Sequence, residues 1–415
     1  ISLIKNIIFL PIKHESGADK LLALDINSGD ILWSFEALMF LGCLPWYLVA
    51  WGVWMSLKNV QSLSSTSLDR DKSYPRLSVI IAARNEAGTI ENALKSVLAQ
   101  NYPNLEIILV NDRSSDGTDK ILHNLAEKDP RVLIHHVEEL PLGWLGKVNA
   151  MQQGFRKSTG VWLLFTDADV HFQEESLERI IDVAERSSVD YLCVIPEVQA
   201  RQRLLKGLYT VSLSGFFLAT RIWEVKNQNS FVGVGACGLV RRSLLLQSPG
   251  LPWLKMEVVD DLALAQLAWQ AGGKLDVYWG REYLGVEWYP SMGDLIRGLE
   301  KNLFAGAQYQ YWRALLGIIG ILFVAVAPWL SIFSGNWLLS LTAVGAFSGY
   351  WLAWISGDKA QGVGWLERLI SPLLLFVIAW ALARSTFITC RQGGIKWRET
   401  FYSIAAMRRG QRLKF

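Results

Sequence analysis

Uncharged apolar stretches lie toward both ends of the chain, and a different pattern fills the middle. Ala37 to Leu57, Ala314 to Phe333 and Trp337 to Ser356 each run without a charge over a length that crosses a bilayer as a helix. Ser334-Gly335-Asn336 joins the last two as a tight hairpin. A fourth run, 369–390, is interrupted by Pro372 and carries Arg384, so it is expected to cross or to lie along the interface. Three crossings are favoured over four. Between the first and second spans, short β-branched runs alternate with helical periodicity. Leu77 to Ala83 precedes a helical pattern with Thr89 as N-cap and Ile90, Leu94, Val97 and Leu98 on its apolar face. Leu105 to Val110 precedes another over Lys120 to Leu125. Strand, polar turn and helix in repetition predict a parallel α/β sheet over 75–310, with its polar groups at the carboxyl ends of the strands, where ligands bind. Residues 58–74, polar over Ser62 to Ser67, are expected to be a linker.

The chemistry is sharpest where a third strand ends. Leu163 to Val170 runs from an apolar strand into Asp167 and Asp169. In an extended chain alternate residues share a side, so both carboxylates can converge on one hard cation, Mg²⁺ or Mn²⁺. Such an ion keeps open positions for phosphate oxygens. Asp-x-Asp alone also reads as a turn.

The surrounding segments add an ordered set: Val79-Ile-Ile-Ala-Ala-Arg-Asn-Glu86, Val110-Asn-Asp-Arg-Ser-Ser-Asp-Gly-Thr118, Gly146-Lys147-Val-Asn149-Ala150, Thr166-Asp-Ala-Asp169 and Val259-Asp260-Asp261-Leu-Ala-Leu. In this order they resemble the family 2 glycosyltransferases, whose catalytic domain has the Rossmann-like GT-A fold. The resemblance implies an α/β nucleotide-sugar domain flanked by transmembrane helices. It assigns nucleotide-sugar contacts to Glu86, Asp112, Lys147 and Asp167, metal ligation to Asp169 with Asp167, and the catalytic base to Asp261. It also implies a single displacement with inversion.

Each position has a plainer reading. Glu86 and Asp112 can cap the helices that follow; Lys147 can be a solvated charge; Asp260 and Asp261 can complement a helix dipole. His171 reads as a strand-exit histidine rather than a metal ligand. The family's Gln-x-x-Arg-Trp or Arg-x-x-Arg-Trp signature is missing: Arg297-Gly-Leu-Glu-Lys301-Asn302 has the cations without the tryptophan. Arg297 and Lys301 are possible diphosphate contacts, or the basic face of an interfacial helix. The departure argues against a polysaccharide synthase. Phe231 to Arg242 resembles the acceptor-side strand; Gly233 and Gly235 either admit a ligand to the backbone or form a bulge. The apolar run Leu204 to Trp223 is a candidate interfacial helix.

Charge sets the orientation. Residues 1–36 carry Lys5, Lys13 and Lys20 against Glu15, Asp19, Asp25, Asp30 and Glu36, whereas Lys58, Arg70, Lys72 and Arg76 outnumber Asp69 and Asp71 after the first span. The excess of cations places the catalytic domain on the cytoplasmic side of a cell (inner) membrane. The tail 391–415 is basic and is expected to meet anionic headgroups. A net charge of +3 offers nothing for nucleic acid, and the four scattered cysteines fit a reducing compartment. Lys20 to Trp33 resembles one blade repeat of a quinoprotein-type β-propeller, and the chain does not begin with Met, so 1–36 is expected to be a non-catalytic extension of something longer. These readings converge on an enzyme moving one sugar from a nucleotide donor, such as a UDP-sugar, to a hydroxyl of a membrane lipid, as in bacterial hopanoid, carotenoid or ceramide-type glycosylation. Transfer to a polyprenyl phosphate and a catalytically silent scaffold are the alternatives.

Overall fold

The computed structural model describes residues 3–4, 7–13, 19–25, 31–66, 68, 73–355 and 364–413, with side chains described from residue 34 onward. Strands β1 (Leu3–Ile4), β2 (Ile7–Lys13), β3 (Asp19–Asp25) and β4 (Ile31–Ser34) form an antiparallel meander in that order. Helix α1 (Phe35–Asn59) follows, capped by the Ser34 hydroxyl, which accepts from the Ala37 amide at 3.2 Å.

The central domain is an eight-stranded mixed sheet covered by helices. In chain order its parts are β5 (Gln61–Ser62), β6 (Leu77–Ala83), α2 (Ile90–Leu98), β7 (Leu105–Asp112), α3 (Thr118–Ala126), β8 (Val132–Val137), α4 (Gly146–Lys157), β9 (Trp162–Thr166), β10 (Val170–Phe172), α5 (Ser176–Arg186), β11 (Tyr191–Ile195), β12 (Glu197–Val198), α6 (Arg203–Thr220), β13 (Gly238–Arg241), α7 (Arg242–Gln247), α8 (Asp260–Gln270), β14 (Leu275–Trp279), β15 (Leu284–Val286), α9 (Met292–Leu299) and α10 (Leu303–Gly306). The sheet order is β5-β14-β11-β13-β9-β6-β7-β8, and β10, β15 and β12 form a small second sheet. β6 and β9 are buried almost throughout, as strands covered on both faces must be.

Three expectations need correction. The sheet is not wholly parallel: β13 runs antiparallel to both β9 and β11. Its approach along 231–237 starts beside the carboxyl end of β9, where the Asp167 amide donates to the Gly235 carbonyl at 3.0 Å, so the strand must run back. Nor is 58–74 only a linker. Gln61 and Ser62 add a parallel edge to β14, Tyr278 donates to Gln61 at 2.9 Å, and Leu63 is fully buried. Thr89 sits at the N-cap of α2 without a side-chain cap bond; its hydroxyl turns to Glu86.

Among the described residues four helical segments are long and apolar enough to cross a membrane: α1, α11 (Tyr311–Ile332), α12 (Trp337–Ile355) and the composite Trp365–Gln392, made of α13 (Trp365–Ile370), a short turn and α14 (Leu375–Gln392). The first three pack together. Trp46 of α1 meets Phe347 and Tyr350 of α12 edge-on, each with centroids 5.2 Å apart, and donates to the Val324 carbonyl of α11 at 3.0 Å. A Cβ on Gly42 would collide with Ala327, the close approach that small residues allow between apolar helices.

The fourth segment behaves differently. At its start, Leu374 packs against Gly207 of α6, and Ser371 bonds Tyr350 near the domain end of α12. Midway, Leu382 meets Gly317, in the first turns of α11, and Arg384 pairs with Glu300 at 2.7 Å. Its end leads into a hairpin, β16 (Gly394–Trp397) and β17 (Thr400–Ser403), and then α15 (Ile404–Gly410). This tail folds onto the central domain. Glu257 accepts from the Arg412 and Leu413 amides at 2.7 and 3.1 Å, and the Arg408 guanidinium donates to the Tyr309 carbonyl at 3.0 Å. The expectation of a tail facing lipid headgroups is therefore corrected for Arg398, Arg408 and Arg412, whose charges are turned to protein carboxylates and carbonyls.

Candidate active site

β6, β7 and β9 lie side by side and in parallel, so the polar segments that follow them emerge at one edge of the sheet. With 233–235, the start of α8, α9 and the tail hairpin they enclose a cleft of about 1020 Å³. Glu86, Asp112, Lys147, Asp167, Asp169, Asp261, Arg297 and Lys301 all line it. His171 pairs with Gly285 in the small sheet instead.

Lys147 is the hub. At the N-terminal turn of α4, its ammonium lies 2.7 Å from Asp167 Oδ1 and 3.1 Å from Asp260 Oδ2. Burial works against its charge, but Asp167, Asp260 and Asp261 together hold its pKa well above the ordinary value. Asp169 shares the cleft, and among the described residues no cation forms an ion pair with it. Burial, then the charges of Asp167 and Glu86, push it up to about 7. Two carboxylates crowded until they repel are a hard oxygen donor set, which fits Mg²⁺ or Mn²⁺.

The two acidic residues opening α8 take different surroundings. Asp260 is buried against Lys147, whereas Asp261 Oδ1 accepts from the Leu262 amide at 2.8 Å. Burial and the neighbouring Asp260 push Asp261 up to about 7, the range in which a carboxylate can accept a proton near neutrality. The glycines upstream serve the site's own frame. A Cβ on Gly235 would collide with the Asp167 carboxylate, and one on Gly233 with the Asp261 carbonyl. The close approach they permit is thus to the acidic segments, and Thr166 Oγ1 adds a bond to the Ala236 carbonyl at 2.7 Å.

At the other end of the cleft, Asp112 is buried with both oxygens engaged. Arg113 donates to Oδ1 at 2.8 Å and Oδ2 at 3.2 Å, and Arg84 lies 3.6 Å away. Arg113 takes a left-handed backbone, φ 57°, as does Asn85 at 54°. The reading of Asp112 as a helix cap does not describe it: Asp116 bonds the Thr118 amide at 3.0 Å and reaches back to the Ala87 amide at 3.0 Å, tying the two strand-end loops together. Glu86 meets Arg398 of the tail hairpin.

Of the two downstream cations, Arg297 is largely exposed and pairs with Asp294 at 2.6 Å. Lys301 turns inward, 4.0 Å above the ring of Trp397. Burial, then Lys147, depress its pKa to about 8. That ring comes from the tail hairpin, about a hundred residues further along the chain. Arg84, Arg113, Trp397 and Arg398 were not among the sequence candidates. For the last two no local spacing could have flagged them, since more than 300 residues separate Arg398 from Glu86.

Residues 78–247 match the family described as "Glycosyl transferase family 2". An uncharacterized glycosyltransferase of Nostoc sp. is 32% identical over 114 residues, 28% of this chain and about a third of that protein's length, 34%. A 4,4'-diaponeurosporenoate glycosyltransferase of Staphylococcus aureus is 22% identical over 343 residues, covering 80% of this chain and 89% of the relative. Among solved structures, a mannosyltransferase from Pyrobaculum calidifontis in complex with GDP-Man and Mn²⁺ shares the fold, with a TM-score of 0.51, 18% identity, and coverage of 85% of this chain and 97% of that one.

Proposed function

The chain carries a family 2 glycosyltransferase domain of mixed α/β, Rossmann-like fold, and from that premise we propose that it moves one sugar from a nucleotide-diphosphate donor, a UDP-sugar, to a hydroxyl of a membrane lipid with inversion. The observation that carries the reading is that one cleft joins a cation–carboxylate cluster to an apolar wall. Lys147, Asp167, Asp169 and Asp261 line the first part, and Tyr209, Leu213 and Phe216 of α6 with Ile388 of α14 line the second. α6 and the turn that follows it are clamped to the apolar helices: Trp354 of α12 donates to Ser214 of α6 at 3.1 Å, and Trp51 of α1 meets Trp223, just past the end of α6, edge-on at 5.1 Å. A lipid lying among those helices would present its head to the charged end.

Asp169 and Asp167 would hold the divalent ion, which when bound stabilises charge on the leaving diphosphate. Lys147 adds a fixed positive charge to the same region. Asp261 accepts the proton of the acceptor hydroxyl as it attacks the anomeric carbon. Glu86 and Asp112 recognise the nucleoside. Turnover by purified full-length protein, offered UDP- and GDP-sugars with Mn²⁺ and a total lipid extract and followed by the mass of the lipid products, tests the reading. A lipid gaining one hexose supports it; hydrolysis alone or no turnover of any donor refutes it.

A pH dependence follows from the two raised carboxyls. Both act as anions, and a raised pKa keeps the anion only above its value, so kcat/KM is expected to fall as pH drops through about 7. At saturating metal Asp169 stays ionised and Asp261 sets the limb alone. A profile flat well into the acid range would dismiss Asp261 as base.

The membrane arrangement we infer has three crossings, α1, α11 and α12, with α13 and α14 along the interface. The domain-side packing of Leu374, Leu382 and Arg384, and the return of the tail onto the domain, support it. The lysine and arginine excess after α1 then puts domain and tail in the cytoplasm. A cysteine introduced at Ser403, in a background where Cys390 is serine, should resist a membrane-impermeant thiol reagent in intact cells and react after lysis. Labelling in intact cells would overturn this.

A further inference from the structure

We propose that the C-terminal hairpin, Gly394–Ser403, closes the donor end of the cleft, and that Arg398 is a ligand for the donor's diphosphate that rests on Glu86 until a donor binds. The inference builds on the glycosyltransferase reading and adds a wall and a residue to its donor site.

Three features point the same way. The first is placement. Trp397 and Arg398 line the cleft with Lys147 and Lys301, although they lie beyond the apolar helices in sequence. Trp397 covers Lys301 with its ring, Glu399 pairs with Arg84 at 3.2 Å, and Arg84 in turn faces Asp112. The hairpin thus touches the residues that serve the nucleoside and those that serve the diphosphate.

The second is the turn itself. Trp397 pairs with Thr400, so Arg398 and Glu399 form a two-residue loop. Arg398 takes φ 54°, a left-handed conformation that such loops usually give to glycine or asparagine. A long cationic side chain held at this position against backbone preference is the kind of outlier found at ligand clamps.

The third is charge. Lys147, Lys301 and Arg398 bring three positive groups to one cleft, and Arg398 and Lys147 both oppose the charge on Lys301. Lys147 and Arg398 are paired with carboxylates, whereas Lys301 is buried under the Trp397 ring, and a phosphate group reaching it would meet all three cations. The guanidinium fork suits phosphate oxygens better than any other cationic side chain. A nucleoside taking Glu86 would free Arg398 at the mouth of the cleft, next to the diphosphate that Lys147 faces.

The rear of the tail is fastened by Glu257 and by Tyr309, away from Arg398, so exchanging Glu86 for a phosphate at the tip leaves these anchors in place. The proposal is tested on full-length protein with Mn²⁺, by calorimetric titration with UDP and GDP and with UMP and GMP. The parent should prefer one diphosphate to its monophosphate. Arg398→Ala should lose about tenfold or more of diphosphate affinity while its monophosphate affinity holds or rises, since Glu86 is then free, and Arg398→Lys should recover part of the diphosphate affinity. Equal weakening of both nucleotides would make Arg398 a structural strap only, and an unchanged preference would remove it from the site; either result overturns the proposal. A parent that binds none of the four would overturn the donor reading itself, and this proposal with it.

Discussion

Asp261→Asn is expected to lower sugar transfer by roughly 10² to 10⁴ while leaving donor affinity within a few-fold. The substitution is conservative where the fold is concerned: the Asn side-chain oxygen can still accept from the Leu262 amide, and the ion pair in this turn belongs to Asp260 and Lys147. What is lost is the one carboxylate in the α8 turn without a lysine against it, raised into the range where it can take a proton. Donor titration by calorimetry and turnover with lipid acceptor separate the two effects. Loss of donor affinity equal to the loss of rate would give Asp261 a binding role. Full activity would mean an acceptor already ionised, such as a polyprenyl phosphate.

The second large effect is expected at Asp169. Asp169→Asn should cut turnover by orders of magnitude, because an amide is a poor ligand for a hard cation and the charge facing the leaving diphosphate falls. Its effect on stability should have the opposite sign. Burial and the charges of Asp167 and Glu86 raise the folded-state pKa to about 7, above the unfolded value. The folded state therefore holds its proton more tightly, and stability is lost as pH rises from the unfolded pKa toward about 7. Removing the charge relieves that cost at neutral pH and above. The variant should melt at the same temperature as the parent or higher in metal-free buffer at pH 8, and should gain less from added Mn²⁺. A variant that transfers at the parent rate with chelator present would show that neither carboxylate serves a metal.

The residues that carry these predictions were legible to different degrees. Asp167 and Asp169 stand out because the apolar run before them can only be a buried strand, but that strand ends at Thr166 and the two carboxylates sit in the turn before β10, so their meeting in one cleft comes from the turn and not from strand alternation. The pairing of Lys147 with Asp260 rather than Asp261 could not be read from adjacent carboxylates, since which one faces α4 depends on how α8 is seated. Gly233 and Gly235 looked equally suited to a ligand or a bulge; their neighbours turned out to be Asp261 and Asp167. The basic tail misled for the opposite reason. Its composition matches a lipid-facing segment, but composition carries no information about the carboxylates and carbonyls on another part of the chain.

By itself, the sequence determined what depends on neighbours close along the chain: strands buried on both faces, polar groups at their carboxyl ends, and uncharged runs too long to be anything but apolar helices. Those properties follow from side-chain periodicity and transfer free energy, which are local. Only the tertiary structure decided where the chain returns after the apolar helices. The end of α14 leads into β16 and β17, which come down on Glu86, Arg84 and Lys301 and finish a cleft begun some 300 residues earlier. That closure rests on long-range ion pairs and one cation–ring contact, whose partners are selected by packing and not by spacing.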